Sequence, residues 1–208
     1  MLSKLFLVVV GAAAFMATQA HAITVDLNYD TPAFIVNPSP TTISGTVEIN
    51  AMGDAFNYFS PFNDNVSPYH AVRELSSASY LFDTNYSAVS FLWGTVDGNN
   101  TNRNLLELYS GDTKVLSLFG NNIIDAVDFA DVNFIGDGVV EGEFVNISIS
   151  NLLFDRIVFS STGNSFEFSN LQVVTAVPLP AALPLYGAGI AVLGFVGWRK
   201  RQKAVLAA

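Results

Sequence analysis

Two uncharged apolar runs, one near each end, leave only the middle of this 208-residue chain free to fold in water. The first covers 5–16, follows Lys4 and precedes the small-x-small site Ala20-His21-Ala22. A positive start, a short apolar stretch and that site read as a secretory signal peptide over 1–22, cut after Ala22. The second run covers the eighteen residues 181–198 and is closed by Arg199, Lys200, Arg201 and Lys203. As a helix it would reach roughly 27 Å at ~1.5 Å per residue, close to the ~30 Å hydrocarbon thickness of a bilayer. Trp198 stands where an interfacial aromatic belongs, and the cations behind it are expected to stay cytoplasmic. The chain is thus expected to divide into a signal peptide (1–22), an exported domain (23–176) and a tail (177–203). Its implied handlers are the Sec translocon and signal peptidase, with the inner membrane holding the helix at 181–198.

All eighteen acidic residues lie in 23–176, against only Arg73, Arg103, Lys114 and Arg156, so this domain carries a net charge of −14. Such a surface repels nucleic acid and anionic lipid, and favours cations or neutral polymers. The absence of cysteine removes any disulfide framework, so an exported fold has to rest on its core alone. At 154 residues the domain is large enough to bury roughly 68–70% of its unfolded surface.

The patterning of the domain is that of β structure, rich in Phe, Tyr, Val and Ile and without a long 3.6-residue stripe. Alternation or apolar runs predict strands over 23–29, 42–51, 78–83, 86–95, 143–150, 152–161 and 164–175. The spans 78–83 and 86–95 read as a hairpin pair, with Val89, Phe91 and Trp93 on one face. A clearer hairpin joins 104–110 to 113–119 through Ser110-Gly111-Asp112. The span 53–73 reads as a long loop or two short strands, and 120–142 as irregular and acidic. Together these predict an all-β antiparallel sandwich of jelly-roll type, with helices confined to the signal peptide and the membrane segment.

Residues able to carry chemistry are few. His70, the one histidine of the domain, reads as a loop residue that is solvated or packs locally. A hydrolytic triad needs a base beside a nucleophile on a strained turn, and no G-x-S-x-G elbow occurs. Glu141 and Glu143 could share a strand face as a glycosidase pair, but one such spacing among eighteen acids is expected by chance. Calcium is the cofactor to consider, since hard cations take several oxygens from closely spaced Asp and Asn. Asp97 and Asn100 are its candidate ligands, with Asp125, Asp128, Asp131 and Asp137 as a second acidic run; the alternative is a solvated loop face. Tyr58, Phe59, Phe62 and Tyr69 either stack on a sugar or cap the core beneath a loop. The sequons at Asn65, Asn85, Asn99 and Asn146 read as incidental.

Between the exported domain and the apolar run stands a proline knot, Val177-Pro178-Leu179-Pro180. Pro-x-Pro, a transmembrane run and a basic end together resemble the PEP-CTERM sorting signal of Gram-negative bacteria, in its VPLPA form, with Leu179 where the family's Glu stands. The resemblance implies that exosortase, a membrane protease-transpeptidase, recognises and removes the tail. It implies transient residence in the inner membrane and a final place at the cell surface or outside the cell. The segment Phe91-Leu92-Trp93-Gly94-Thr95-Val96-Asp97-Gly98-Asn99-Asn100 is similar to the FxWGSxDxxN stretch of exosortase-dependent surface proteins, with Thr95 in place of the usual Ser. Residues 154–161 and 164–170 are similar to that group's closing strands. The expected function is that of a non-catalytic surface or matrix protein associated with exopolysaccharide or biofilm. The alternative is a carbohydrate- or calcium-dependent adhesion module, and an exported hydrolase comes third.

Overall fold

A computed structural model of the chain describes residues 22–30, 33–55, 58–62, 66–97, 104–126, 132–136, 138, 142–163, 165–176, 189–195 and 198–199. Its frame is two very long strands, β5 (Ser76–Gly94) and β9 (Val145–Ser161), paired antiparallel along most of their length. The hairpin expected within 78–95 does not form. Asp83, Thr84 and Asn85 look like turn residues, yet both halves of β5 keep the same neighbour, and the chain runs on through a register shift between Leu81 and Tyr86. Likewise 143–150 and 152–161 are one strand, which absorbs its bend at Asn151 with φ +65°, a left-handed conformation that asparagine tolerates well.

Eight shorter strands attach to this pair. They are β1 (Ile23–Asn28), β2 (Thr42–Ser44), β3 (Val47–Ala51), β4 (Tyr69–Val72), β6 (Asn104–Ser110), β7 (Thr113–Phe119), β8 (Val132–Ile135) and β10 (Phe166–Thr175). The result is one ten-stranded sheet with a main path β3-β4-β10-β5-β9-β1-β8; β2 adds to β5, and β6 with β7 adds to β9. One expectation needs correction. The sheet is mixed rather than purely antiparallel, because β1 and β8 pair in parallel, Ile23 opposite Val132. The single strand expected over 42–51 is two, broken at Gly45, whose φ is +76° and where a Cβ would collide with Ser76. Within the acidic stretch 120–142 lie β8 and a one-turn helix, α1 (Gly120–Asp125).

The core is aromatic and is built by alternation along the long strands. Val89, Phe91 and Trp93 point into it as the sequence predicts, joined by Tyr80, Phe154, Phe159, Phe166 and Phe168. Phe159 of β9 stacks on Phe168 of β10 with centroids 3.9 Å apart, although β5 lies between these strands in the sheet. Phe91 meets Phe159 edge-on at 5.2 Å, and Trp93 stacks on Phe166 at 4.2 Å. On the intervening β5 their partners are Ala78 and Trp93, which in a flat sheet would stand roughly 50 Å apart at ~3.3 Å per residue. The sheet therefore curls until its aromatic face closes on itself.

Of the tail, residues 189–195 are helical, and the Arg199 guanidinium lies 5.9 Å from the Phe195 ring. Among the described residues no helix is long and apolar enough to cross a membrane. The single helix expected over 181–198 is thus seen only in part. Val177, Pro178, Leu179, Pro180, Lys200 and Arg201 lie outside the described residues, as does the cleavage residue Ala20; Ala22 precedes β1.

Candidate functional site

Where β5 ends, the chain enters a clamped segment that contains the expected calcium residue. Gly94 packs so closely on Glu167 and Pro61 that a Cβ there would sit 2.9 Å from Glu167 Cβ. Thr95 follows with φ +34°, a conformation a β-branched residue adopts only under constraint. The constraint is visible. Thr95 Oγ1 donates to Glu167 Oε2, and Val96 exchanges backbone bonds with Gly142 and Glu143 at 2.9 Å each. Asp97 Oδ2 accepts from Asn104 Nδ2 at 3.5 Å, and its carbonyl leaves room only for the hydrogen of Gly120.

Behind this segment lies a buried polar chain that sequence reasoning missed. Glu167 is 1% exposed between Phe166 and Phe168. Ser165 Oγ donates to its Oε1, opposite the bond from Thr95, and the backbone N–H groups of Phe59 and of Glu167 itself also point at the carboxylate. Burial pushes the Glu167 carboxyl up to about 7, against the pull of the Ser165 and Thr95 hydroxyls. Asn104, fully buried, donates to the Ser165 carbonyl at 3.2 Å and accepts from Ser161 Oγ at 2.9 Å. Tyr69 stands nearby; burial foremost, and then the Glu167 charge, raise its phenol well above the ordinary value. The one signal available in the sequence was a charged residue between two phenylalanines. On an alternating strand it reads as solvent-facing, and here the opposite face is covered by the 59–61 segment.

His70 is not in a loop. It occupies β4, is fully buried, and meets Phe168 edge-on at 5.4 Å. Its Nδ1 accepts the Asn50 backbone N–H at 3.2 Å, and its Nε2–H donates to the Pro38 carbonyl at 3.1 Å. Both ring nitrogens are thus occupied, and burial lowers its pKa. This histidine is a core cross-link, with no lone pair left for a nucleophile.

The remaining candidates are dispersed. Glu143 is exposed and uses its backbone, not its carboxylate, to hold Val96; Glu141 lies outside the described residues. Asp125 ends α1, while Asn100, Asp128, Asp131 and Asp137 also fall outside them. Among the described residues no three His, Cys, Asp or Glu come together to hold a metal ion. The aromatic cluster is divided. Tyr69 belongs to the core, Tyr58 lies under the Arg73 guanidinium at 5.0 Å, and Phe62 packs on Phe34 at 6.0 Å. Phe59 alone of the four is half exposed, at 50%.

No protein-family profile matches the chain, and no curated protein does. Among solved structures, it resembles the catalytic unit of a thermostable GH87 alpha-1,3-glucanase from Streptomyces thermodiastaticus strain HF3-3. Identity is 15% and the TM-score 0.34, over 69% of this chain and 28% of that one. So slight a likeness lends this chain neither a reaction nor a substrate.

Proposed function

We propose that the chain is an exported, non-catalytic surface or matrix protein whose domain is a jelly-roll-like sandwich and whose tail is an exosortase sorting signal. The reading rests on one observation: Pro178 and Pro180, an apolar run and four cations follow one another at the end opposite the signal peptide. That order suits a temporary membrane hold, cut once the acidic domain has crossed. Signal peptidase and the Sec translocon act first, exosortase last, and the product joins exopolysaccharide outside a Gram-negative cell. The non-catalytic part draws support from the two titratable groups a hydrolase would recruit. His70 has both nitrogens bonded to backbone, and Glu167 is out of solvent with hydroxyl donors on both oxygens. Calcium on Asp97 and Asn100 belongs instead to the alternative reading, a carbohydrate- or calcium-dependent adhesion module. Mass spectrometry of chain recovered from intact cells tests the sorting. With exosortase present, the mass ends near Pro180; without it, the tail through Trp198 remains. Trp198 still joined in a host that carries the enzyme would overturn the proposal.

A further inference from the structure

Charge is spread unevenly over the exported domain. Between 31 and 72 the only Asp, Glu, Lys or Arg are Glu48, Asp54 and Asp64, although the domain as a whole carries −14. Glu48 is paired with Arg73 at 3.8 Å, and Asp54 turns its Oδ1 onto the Ser60 N–H at 2.9 Å. Asp64 lies outside the described residues.

Hydrogen bonds gather this low-charge stretch into one corner, beside β3, β4 and the middle of β10. Asn170 stands at the bulge of β10, accepts the Ile35 N–H at 2.8 Å and donates to the Ala33 carbonyl at 3.1 Å. Asn37 reciprocates: it accepts the Leu171 N–H at 3.3 Å and donates to Ser169 Oγ at 2.9 Å. Its Nδ2 also reaches the Pro68 carbonyl at 3.4 Å, the Phe34 ring meets Phe62 edge-on, and the Tyr69 phenol donates to the Gly53 carbonyl. Both asparagines are buried by these bonds, whereas large apolar side chains are left outside. Phe34, Ile35, Val36, Met52, Phe59 and Val66 are all exposed, from 38% at Phe34 to 79% at Val36. Apolar groups gathered in this way on a soluble domain mark a contact surface.

The chemistry of the corner selects its occupant. Ile35, Val36, Met52 and Val66 offer a sugar neither a ring to stack on nor a hydrogen bond. A bilayer fits no better: the one cation at the corner, Arg73, is already paired with Glu48, and anionic headgroups are held by clusters of cations. Its loops would also carry backbone polar groups into hydrocarbon. A second copy does fit. Two domains of charge −14 set acid against acid wherever their charged surfaces meet. Here each presents an apolar, nearly uncharged face to the same face of the other, as a twofold contact requires.

We infer that this corner is a self-association surface, through which two copies of the chain pair about a twofold axis and cover Val36, Met52 and Val66. The inference goes beyond the sorting proposal and does not rest on it.

The test is sedimentation of the purified full chain in mild detergent, with density contrast separating protein mass from bound detergent. A dimer is expected, and it should tighten as NaCl is raised, because screening weakens the repulsion between the two acidic domains. Val36→Glu and Met52→Glu each set like charges against one another in the contact and should weaken the dimer by roughly tenfold or more. Leu153→Glu, at an exposed apolar residue of β9 outside the corner, should leave it unchanged. Melting temperatures equal to the parent's identify a loss as local, and one folded variant of the two suffices. A monomer at every concentration overturns the inference, as does a dimer that survives both substitutions, which would place the contact in the tail or on another face. So does a dimer that loosens with NaCl. A monomer that binds less detergent once Val36 is replaced would identify the corner as a lipid-facing surface instead, and also overturns it. The sorting proposal is judged separately, on the tail mass alone.

Discussion

At the scale of single residues, the buried Glu167 and His70 affect stability in opposite directions as pH changes. Glu167 goes from 4.5 to about 7 on folding, so between those values the native state holds a proton that the unfolded chain has lost. Stability contributed by the protonated carboxyl is complete below about 4.5 and declines as pH rises toward 7; a shift of this size corresponds to roughly 3 kcal/mol. Glu167→Gln should therefore be more stable than the parent at pH 8, and the advantage should vanish near pH 4.5. Urea melts at the two values check it, and parallel curves would refute it. His70 has the reverse sign. Its pKa is lowered by burial, so stability is lost as pH falls below 6.5, where the unfolded imidazole takes up a proton and the native one does not. Its ring resonances should report a neutral Nε2–H tautomer in the native state at pH 6, as the bonds to Asn50 and Pro38 require. A ring that titrates near 6.5 would contradict this packing.

At the scale of elements, turns are where local chemistry and tertiary demand can be told apart. Gly111 has φ +58° with open space around it, so Gly111→Ala should cost only the left-handed backbone penalty, about 1 kcal/mol. Gly45 has φ +76° and also presses on Ser76, so Gly45→Ala adds a collision and should cost clearly more in the same melts. The comparison explains what the sequence made legible. The 104–119 hairpin was readable because its turn residues are local: Ser110-Gly111-Asp112 marks the reversal by itself, and the Asp155 carboxylate of β9 only adds a bond to the Gly111 N–H. The break at Gly45 and the run-through at 83–85 were not, because each is decided by a partner far along the chain, Ser76 in one case and the continuous edge of β9 in the other. The same holds at the site. Asp97 could be named from its loop, but Glu167 needed the 59–61 segment to cover it, and His70 needed β4 to be drawn between β3 and β10.

At the scale of the whole molecule, a core of stacked aromatic rings has to hold together a surface with eighteen acids and four bases between residues 23 and 176. Repulsion among carboxylates opposes compaction, and four cations cannot pair eighteen acids; Arg73–Glu48 and Lys114–Glu107 are two of the ion pairs that relieve it. Screening should therefore stabilise the fold. From 0.01 M to 0.15 M NaCl the Debye length falls from ~30 Å to ~8 Å, and the melting temperature should rise by several degrees, at roughly 2–4 °C per kcal/mol for a domain of this size. Calcium can be separated from screening by matching ionic strength. If Asp97 ligates the ion, CaCl2 raises the melting temperature beyond matched NaCl, and Asp97→Asn removes that excess while keeping the NaCl response. Equal curves in the two salts would leave screening as the whole effect and dismiss the site. A melting temperature that fell with added salt would show instead that close ion pairs, rather than the aromatic core, carry the stability of the domain.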